Sequence, residues 1–236
     1  MNIVRKSCKD IWNGFMVENA QFSINDIPYC PTRIKSLPSE VITWNESVTI
    51  YRKHIAVKDN DFSYDAYVCW YCDDYKFDGR NGIWNNYNYV LKVLKHFAGA
   101  ITPDFSTYQD FPDPLKRYNT YRMRAYGYWL TQNNICVINN VRWGTWESFC
   151  YCFDGLPKNS VLAIGTVGGS PRKLEDRERF ETGFFEMISR LEPQAIIVYG
   201  SANYPCFNKA KELGIQIISF SSHTAKAFAM RKVSHE

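Results

Sequence analysis

Residues 194–220 decide the fold: Gln194-Ala-Ile-Ile-Val-Tyr199-Gly200-Ser201-Ala-Asn-Tyr-Pro-Cys-Phe207-Asn-Lys-Ala-Lys-Glu-Leu213-Gly214-Ile215-Gln-Ile-Ile-Ser-Phe220. An apolar run of strand length breaks at Gly200-Ser201. A helical stretch over 207–213 stops at Gly214, since glycine takes the left-handed backbone that ends helices. A second apolar run then begins at Ile215. Strand, helix and strand so closely spaced form a parallel βαβ unit, because antiparallel neighbours need no helix between them.

Outward from this unit the same alternation recurs, giving six apolar runs at 66–72, 99–102, 135–141, 160–167, 194–199 and 215–220. Between them, 88–97 repeats apolar residues on a helical face. Residues 114–132 carry Leu115, Tyr118, Arg122, Tyr126 and Trp129 on one stripe, with Pro114 suited to a first helical turn. Residues 174–191 set Phe180, Phe184, Met187, Ile188 and Leu191 at helical spacing, behind a solvated charge run. The expected fold is α/β, with about six parallel strands alternating with helices. The dinucleotide fingerprint Gly-x-Gly-x-x-Gly is missing after the first run, so an incomplete β/α barrel is favoured over an open doubly wound sheet. A full eightfold barrel takes about 250 residues, so any missing strands would come from the N-terminal part. That part, 1–60, holds Pro28, Pro31 and Pro38 and reads as an irregular extension with a short strand or helix near 41–51. It is expected to pack on an α/β domain at 61–236.

Composition bounds the function classes. Hydrophobic residues are 45% and aromatics 16% of 236 residues, enough for a sizeable core. A net charge of +4 permits an anionic ligand but lacks the density of a nucleic-acid coat. The first thirty residues do not read as a secretory leader and no run of eighteen apolar residues occurs, so no membrane partner and a cytoplasmic location are expected. Eight cysteines would then stay reduced. Cys69-Trp-Tyr-Cys72 lies in a strand and lacks the second, similarly spaced pair that a zinc site needs.

Ligands of parallel sheets bind where the strands end, and each run here ends in polar, acidic or glycine residues. Asp73-Asp74 and Asp104 follow successive runs. Asp74 and Asp104 are candidates for general acid–base work or for holding Mg2+ or Mn2+, which favour oxygen ligands; the bland reading is turn or capping aspartates. Arg142 and Trp143 follow the third run and suit a phosphate and a stacked base, unless Trp143 covers the core and Arg142 pairs with an acid. Asn119 and Arg122, three apart on a helix, reach the rim or brace Asp104. Gly168-Gly169 and Gly200-Ser201 are glycine turns at strand ends that let main-chain N–H groups approach a phosphate, without P-loop or hydrolase-elbow spacing.

Several segments taken together resemble a domain-of-unknown-function family of bacteriophages, prophages and other mobile elements. They are Asn25-Asp26-Ile27-Pro28 with Cys30-Pro31, Asp73-Asp74-Tyr75-x-Phe77, Thr102-Pro103-Asp104-Phe105-Ser106-x-Tyr108, Asn119-Thr120-Tyr121-Arg122-x-Arg124, Phe153-Asp154-Gly155-Leu156-Pro157-Lys158 and Ile197-Val198-Tyr199-Gly200. The resemblance runs from about Asn25 to Phe220 and implies a compact cytoplasmic α/β protein acting inside a bacterial host cell, with no catalytic assignment to carry over. Asp74, Asp104, Asn119, Arg122 and Gly200 match its pattern, while Cys69–Cys72 and Val141-Arg142-Trp143 depart from it. Two readings follow. In one, the strand-end rim binds or processes a phosphorylated ligand: a nucleotide, a nucleotide signal or a nucleic-acid end. In the other, the chain is a non-enzymatic host-takeover module whose aromatic stretch of Tyr71, Tyr75, Trp84, Tyr87 and Tyr89 meets a host protein.

Overall fold

A computed structural model describes residues 7–167 and 174–227. Its elements run β1 (Val41–Thr43), α1 (Trp44–Ala56), β2 (Tyr64–Cys69), α2 (Tyr87–Leu94), β3 (Phe97–Ile101), α3 (Asp113–Gln132) and β4 (Val137–Asn140). They continue with β5 (Val161–Gly165), α4 (Leu174–Leu191), β6 (Ala195–Tyr199), α5 (Pro205–Glu212) and β7 (Gln216–Phe220). The seven strands form one sheet in sequence order, and every neighbouring pair is parallel. Crossovers between successive neighbouring strands, never reversing direction along the sheet, put the helices on one face and curl the sheet around the other. The result is a half barrel with an irregular N-terminal segment, not a doubly wound sheet.

The strand beyond the six expected is β1, which pairs Val41 with Tyr67 and Thr43 with Cys69. It lies within residues read as extension, and so does α1. Thr43 opens α1 with a reciprocal cap: its side chain accepts the Glu46 N–H while the Glu46 carboxylate accepts the Thr43 N–H. Between β4 and β5 a short 3-10 turn, Trp146–Cys150, stands in place of a helix. There the sheet splays: β4 meets β3 at Val137 but β5 only from Asn139 onward. The N-terminal segment fills the wedge. Arg33 makes an antiparallel bridge to Val137, and the Thr32 hydroxyl donates to the Val161 carbonyl.

Two apolar clusters lie between sheet and helices, one around Trp70, Leu94, Phe105 and Tyr126, the other around Ile164, Phe184, Val198 and Phe207. A third fills the concave face with Val41, Tyr67, Cys69, Ile101, Ile138, Ala163, Ile197 and Tyr199. Strand alternation supplies it, since every second residue points inward. All eight cysteines are free thiols. Of the aromatic stretch, Tyr71 and Trp84 are buried, Tyr87 and Tyr89 pack edge-on against Trp129 and Trp44, and Tyr75 is exposed. No helix among the described residues is long and apolar enough to cross a membrane.

Gly155 ties the N-terminal segment to the core. Its φ is +72°, its carbonyl accepts the Cys30 N–H, and a Cβ there would stand 2.2 Å from the Pro28 oxygen. Gly214 also has positive φ, +82°, but a Cβ there meets open space. Gly155→Ala is therefore expected to cost more stability than Gly214→Ala. The latter carries only the left-handed backbone penalty of about 1–2 kcal/mol; the former adds a collision with main chain. Urea denaturation of the two variants reads the difference.

Candidate functional site

The carboxyl ends of β2, β3 and β4 converge on a chain of polar side chains. Asn140, the last residue of β4, is fully buried; its amide donates to Asp104 Oδ1 at 2.9 Å and accepts the Tyr71 hydroxyl at 2.9 Å. Its main-chain N–H donates to the Thr102 hydroxyl, which locks β4 to the end of β3. Arg142 Nη1 donates to Asp104 Oδ2 at 3.0 Å. The two side chains are 17% and 10% exposed, so the pair sits at the border of protein and solvent. Tyr71 stacks on Tyr199 across the concave face with ring centroids 5.4 Å apart. Gly165 makes room for it, because a Cβ there would come within 2.5 Å of the Tyr71 ring.

A second chain adjoins the first through the loop after β3. Ser106 donates its N–H and its hydroxyl to the Asp74 carboxylate, at 3.1 and 2.8 Å. The Asn119 amide donates to the Ser106 carbonyl, and Arg122 Nη2 donates to Asn119 Oδ1 at 2.7 Å. Arg122 also pairs with Asp78 at 2.8 Å and lies 3.9 Å from the centroid of the Phe105 ring. Asn119 and Arg122 thus hold Ser106, two residues past Asp104, and make no hydrogen bond to Asp104 itself. Burial raises the Asp74 carboxyl above its ordinary value, the two bonds from Ser106 oppose the rise, and the charge of Asp104 adds to it.

The other sequence candidates fall elsewhere. Trp143 packs on Phe180 and Phe153, and a Cβ on Gly183 of α4 would collide with its indole, so the ring covers the outer core. Gly200 has φ +119° under the Thr166 hydroxyl, which donates to the Ser201 carbonyl; Ser201 itself is exposed. Gly168 and Gly169 lie outside the described residues. Among the described residues no group of three or more His, Cys, Asp and Glu could hold a metal ion. Asp74 and Asp104 are each committed to protein donors.

Beside Tyr71 and Tyr199 a cleft of about 570 Å³ opens along the unclosed side of the half barrel, where Thr43, Glu46, Asp73, Ser222 and His223 also line it. Asn140 and Asp78 are site residues that the sequence did not single out, while Ser106 stood out only within the resemblance and Tyr71 only as an aromatic for a protein partner. Asn139-Asn140 was the available signal for one of them, since two amides closing an apolar strand must find buried partners.

The family model described as "Domain of unknown function (DUF4417)" matches residues 20–221, and the chain belongs to that family. The Gene 1 protein of Mycobacterium phage L5 is 34% identical over 134 residues, covering 57% of each chain. The Gene 1 protein of Mycobacterium phage D29 is 30% identical over 169 residues, 71% of this chain and 58% of the phage protein. The chain thus spans a little over half the length of these curated relatives. No solved structure matches the chain.

The network predicts a raised Asp74 midpoint. The Asp74 midpoint, read from side-chain carboxyl carbon-13 shifts, is expected above 3.8, and Asp104→Asn is expected to lower it. Between the unfolded and the raised folded midpoint the native state binds more proton. The stability contribution of Asp74 is therefore present at low pH and falls as pH rises through that window. An unchanged Asp74 midpoint in Asp104→Asn would separate the two carboxylates.

Proposed function

We propose that this member of the DUF4417 family binds a phosphorylated small molecule, a nucleotide or nucleotide-derived signal, at the carboxyl-end mouth of its half barrel. The observation that carries the reading is Arg142. Its guanidinium has five N–H donors, and its one hydrogen bond among the described residues is to Asp104. Its side chain keeps 17% of its surface exposed, and its remaining donors offer a planar fork, the geometry that meets two oxygens of one phosphoryl group.

Preorganisation supports the same reading. Asp104 is gripped by Asn140 and Arg142, and Asn140 by Tyr71, so Arg142 is held in place before a ligand arrives. Ordering a free arginine would otherwise subtract from the binding energy. A phosphoryl group on the fork leaves the rest of the ligand to lie toward Tyr71, Tyr199, Ser222 and His223 in the cleft. Aromatic and hydroxyl groups there suit a sugar and base. Trp143 has no part in this arrangement, because its ring is engaged with Phe180.

The test is a thermal-shift and calorimetric screen against nucleoside mono-, di- and triphosphates and cyclic nucleotides, with and without Mg2+. The wild-type protein is expected to bind one of these classes. Arg142→Met should weaken binding by about 10- to 150-fold, the range for a lost hydrogen bond to a charged group, about 1.5–3 kcal/mol. Asp104→Asn should weaken it by a smaller factor while the fold survives. Binding that is equally tight in Arg142→Met would contradict this site.

A further inference from the structure

The motif Asn119-Thr120-Tyr121-Arg122-x-Arg124 holds two arginines, and only Arg122 belongs to the loop network described above. Arg124 has no exposed surface, yet it carries a charge into the core. Its fork spends itself on main-chain carbonyls: Nη1 donates to Asn140 at 3.0 Å, Nη2 to Cys152 at 2.9 Å and Nε to Asp154 at 3.1 Å. No carboxylate neutralises it by direct contact among the described residues. The Asp154 carboxylate is taken by the Asn25 amide. Burial pushes the nearby Cys30 and Cys152 thiols up to about 12, so both stay neutral at physiological pH. Arg124 is lowered to about 10 by burial and remains a cation there.

A buried cation held by carbonyl dipoles is costly, and tying down a loop alone does not require one. What it touches gives the reason. The Asn140 carbonyl it grips belongs to the residue whose side chain orients Asp104 and, through Asp104, Arg142. We propose that Arg124 is a positioning residue for the mouth: by clamping the Asn140 main chain it sets the amide–carboxylate–guanidinium chain that ends at Arg142. The two arginines of the motif would then divide the work, with Arg122 and Asn119 holding the loop after β3 and Arg124 holding the end of β4. The link from this clamp to a ligand rests on the phosphate reading of the mouth; the clamp itself does not.

Arg124→Lys is the test, because lysine keeps the charge while its single ammonium cannot reproduce the three-pronged fork. Two readouts are taken on the full-length protein. One is the side-chain amide resonance of Asn140 in a nitrogen-15 correlation spectrum, with the Asn119 amide as internal control. The other is the affinity for inorganic phosphate by phosphorus-31 titration. The expected result is a displaced Asn140 amide, an unmoved Asn119 amide and phosphate binding weakened at least 5-fold. An Asn140 amide that stays in place overturns the clamp. A displaced amide with unchanged phosphate affinity overturns its effect on the site. If the wild-type protein binds no phosphate, the phosphate reading fails and the Asn140 resonance still decides the clamp. If Arg124→Lys fails to fold, a through-bond coupling between the Arg124 guanidinium and the Asn140 carbonyl in the wild-type protein decides it, and its absence overturns the clamp.

Discussion

A helix that buries two arginines, a lysine and an asparagine must find partners for all of them inside the protein, because a buried polar group without one costs several kcal/mol. α3 is that helix: Lys116, Asn119, Arg122 and Arg124 are all buried along it. Their partners are the ends of the strands and the loops beyond them. Lys116 takes the Gln109 carbonyl, Asn119 takes Ser106, Arg122 takes Asp78 and Arg124 takes Asn140. The helix that covers the middle of the sheet therefore also dictates where the rim residues stand. Rigidity at the mouth is a by-product of satisfying α3.

The unclosed side gives that rim its access. Strands in strict sequence order wrap their helices to the outside and leave the concave face to be filled by side chains alone. Tyr67, Tyr71 and Tyr199 fill much of it, and Gly99 and Gly165 give way to two of those rings. With seven strands rather than eight, the stacked Tyr71–Tyr199 pair opens to a cleft beside β1 and β7. The polar chain at the carboxyl ends and the cleft thus share Tyr71 as a wall.

The strand rhythm was legible because buried parallel strands are continuous apolar runs, and six of them stood out. α4 was legible to the residue, since its phenylalanine stripe and charged face leave little choice. β1 and α1 were legible only as a short strand or helix near 41–51, because three strand residues carry no periodicity and the prolines before them argue for irregular chain. Phe97 looked like the last apolar residue of a helix but opens β3. At the rim, strand ends pointed to Asp74, Asp104 and Arg142; residue type could not say that Asp104 takes Arg142 while Asp74 takes Ser106. That depends on register: Asn140 ends β4 beside Asp104 only because Ala100 pairs with Val137. Trp143 shows the reverse case, an aromatic at a strand end that Gly183 draws outward onto α4.

The most direct measurement follows the arginine side-chain Nε–Hε signals of the wild-type protein during titration with inorganic phosphate. A preformed anion site at the mouth predicts that Arg142 shifts and saturates, while Arg122, whose terminal nitrogens bond Asp78 and Asn119, and Arg124, which bonds three main-chain carbonyls, stay in place. An Arg142 signal that does not move, or one that moves no more than exposed arginines such as Arg52, would contradict it.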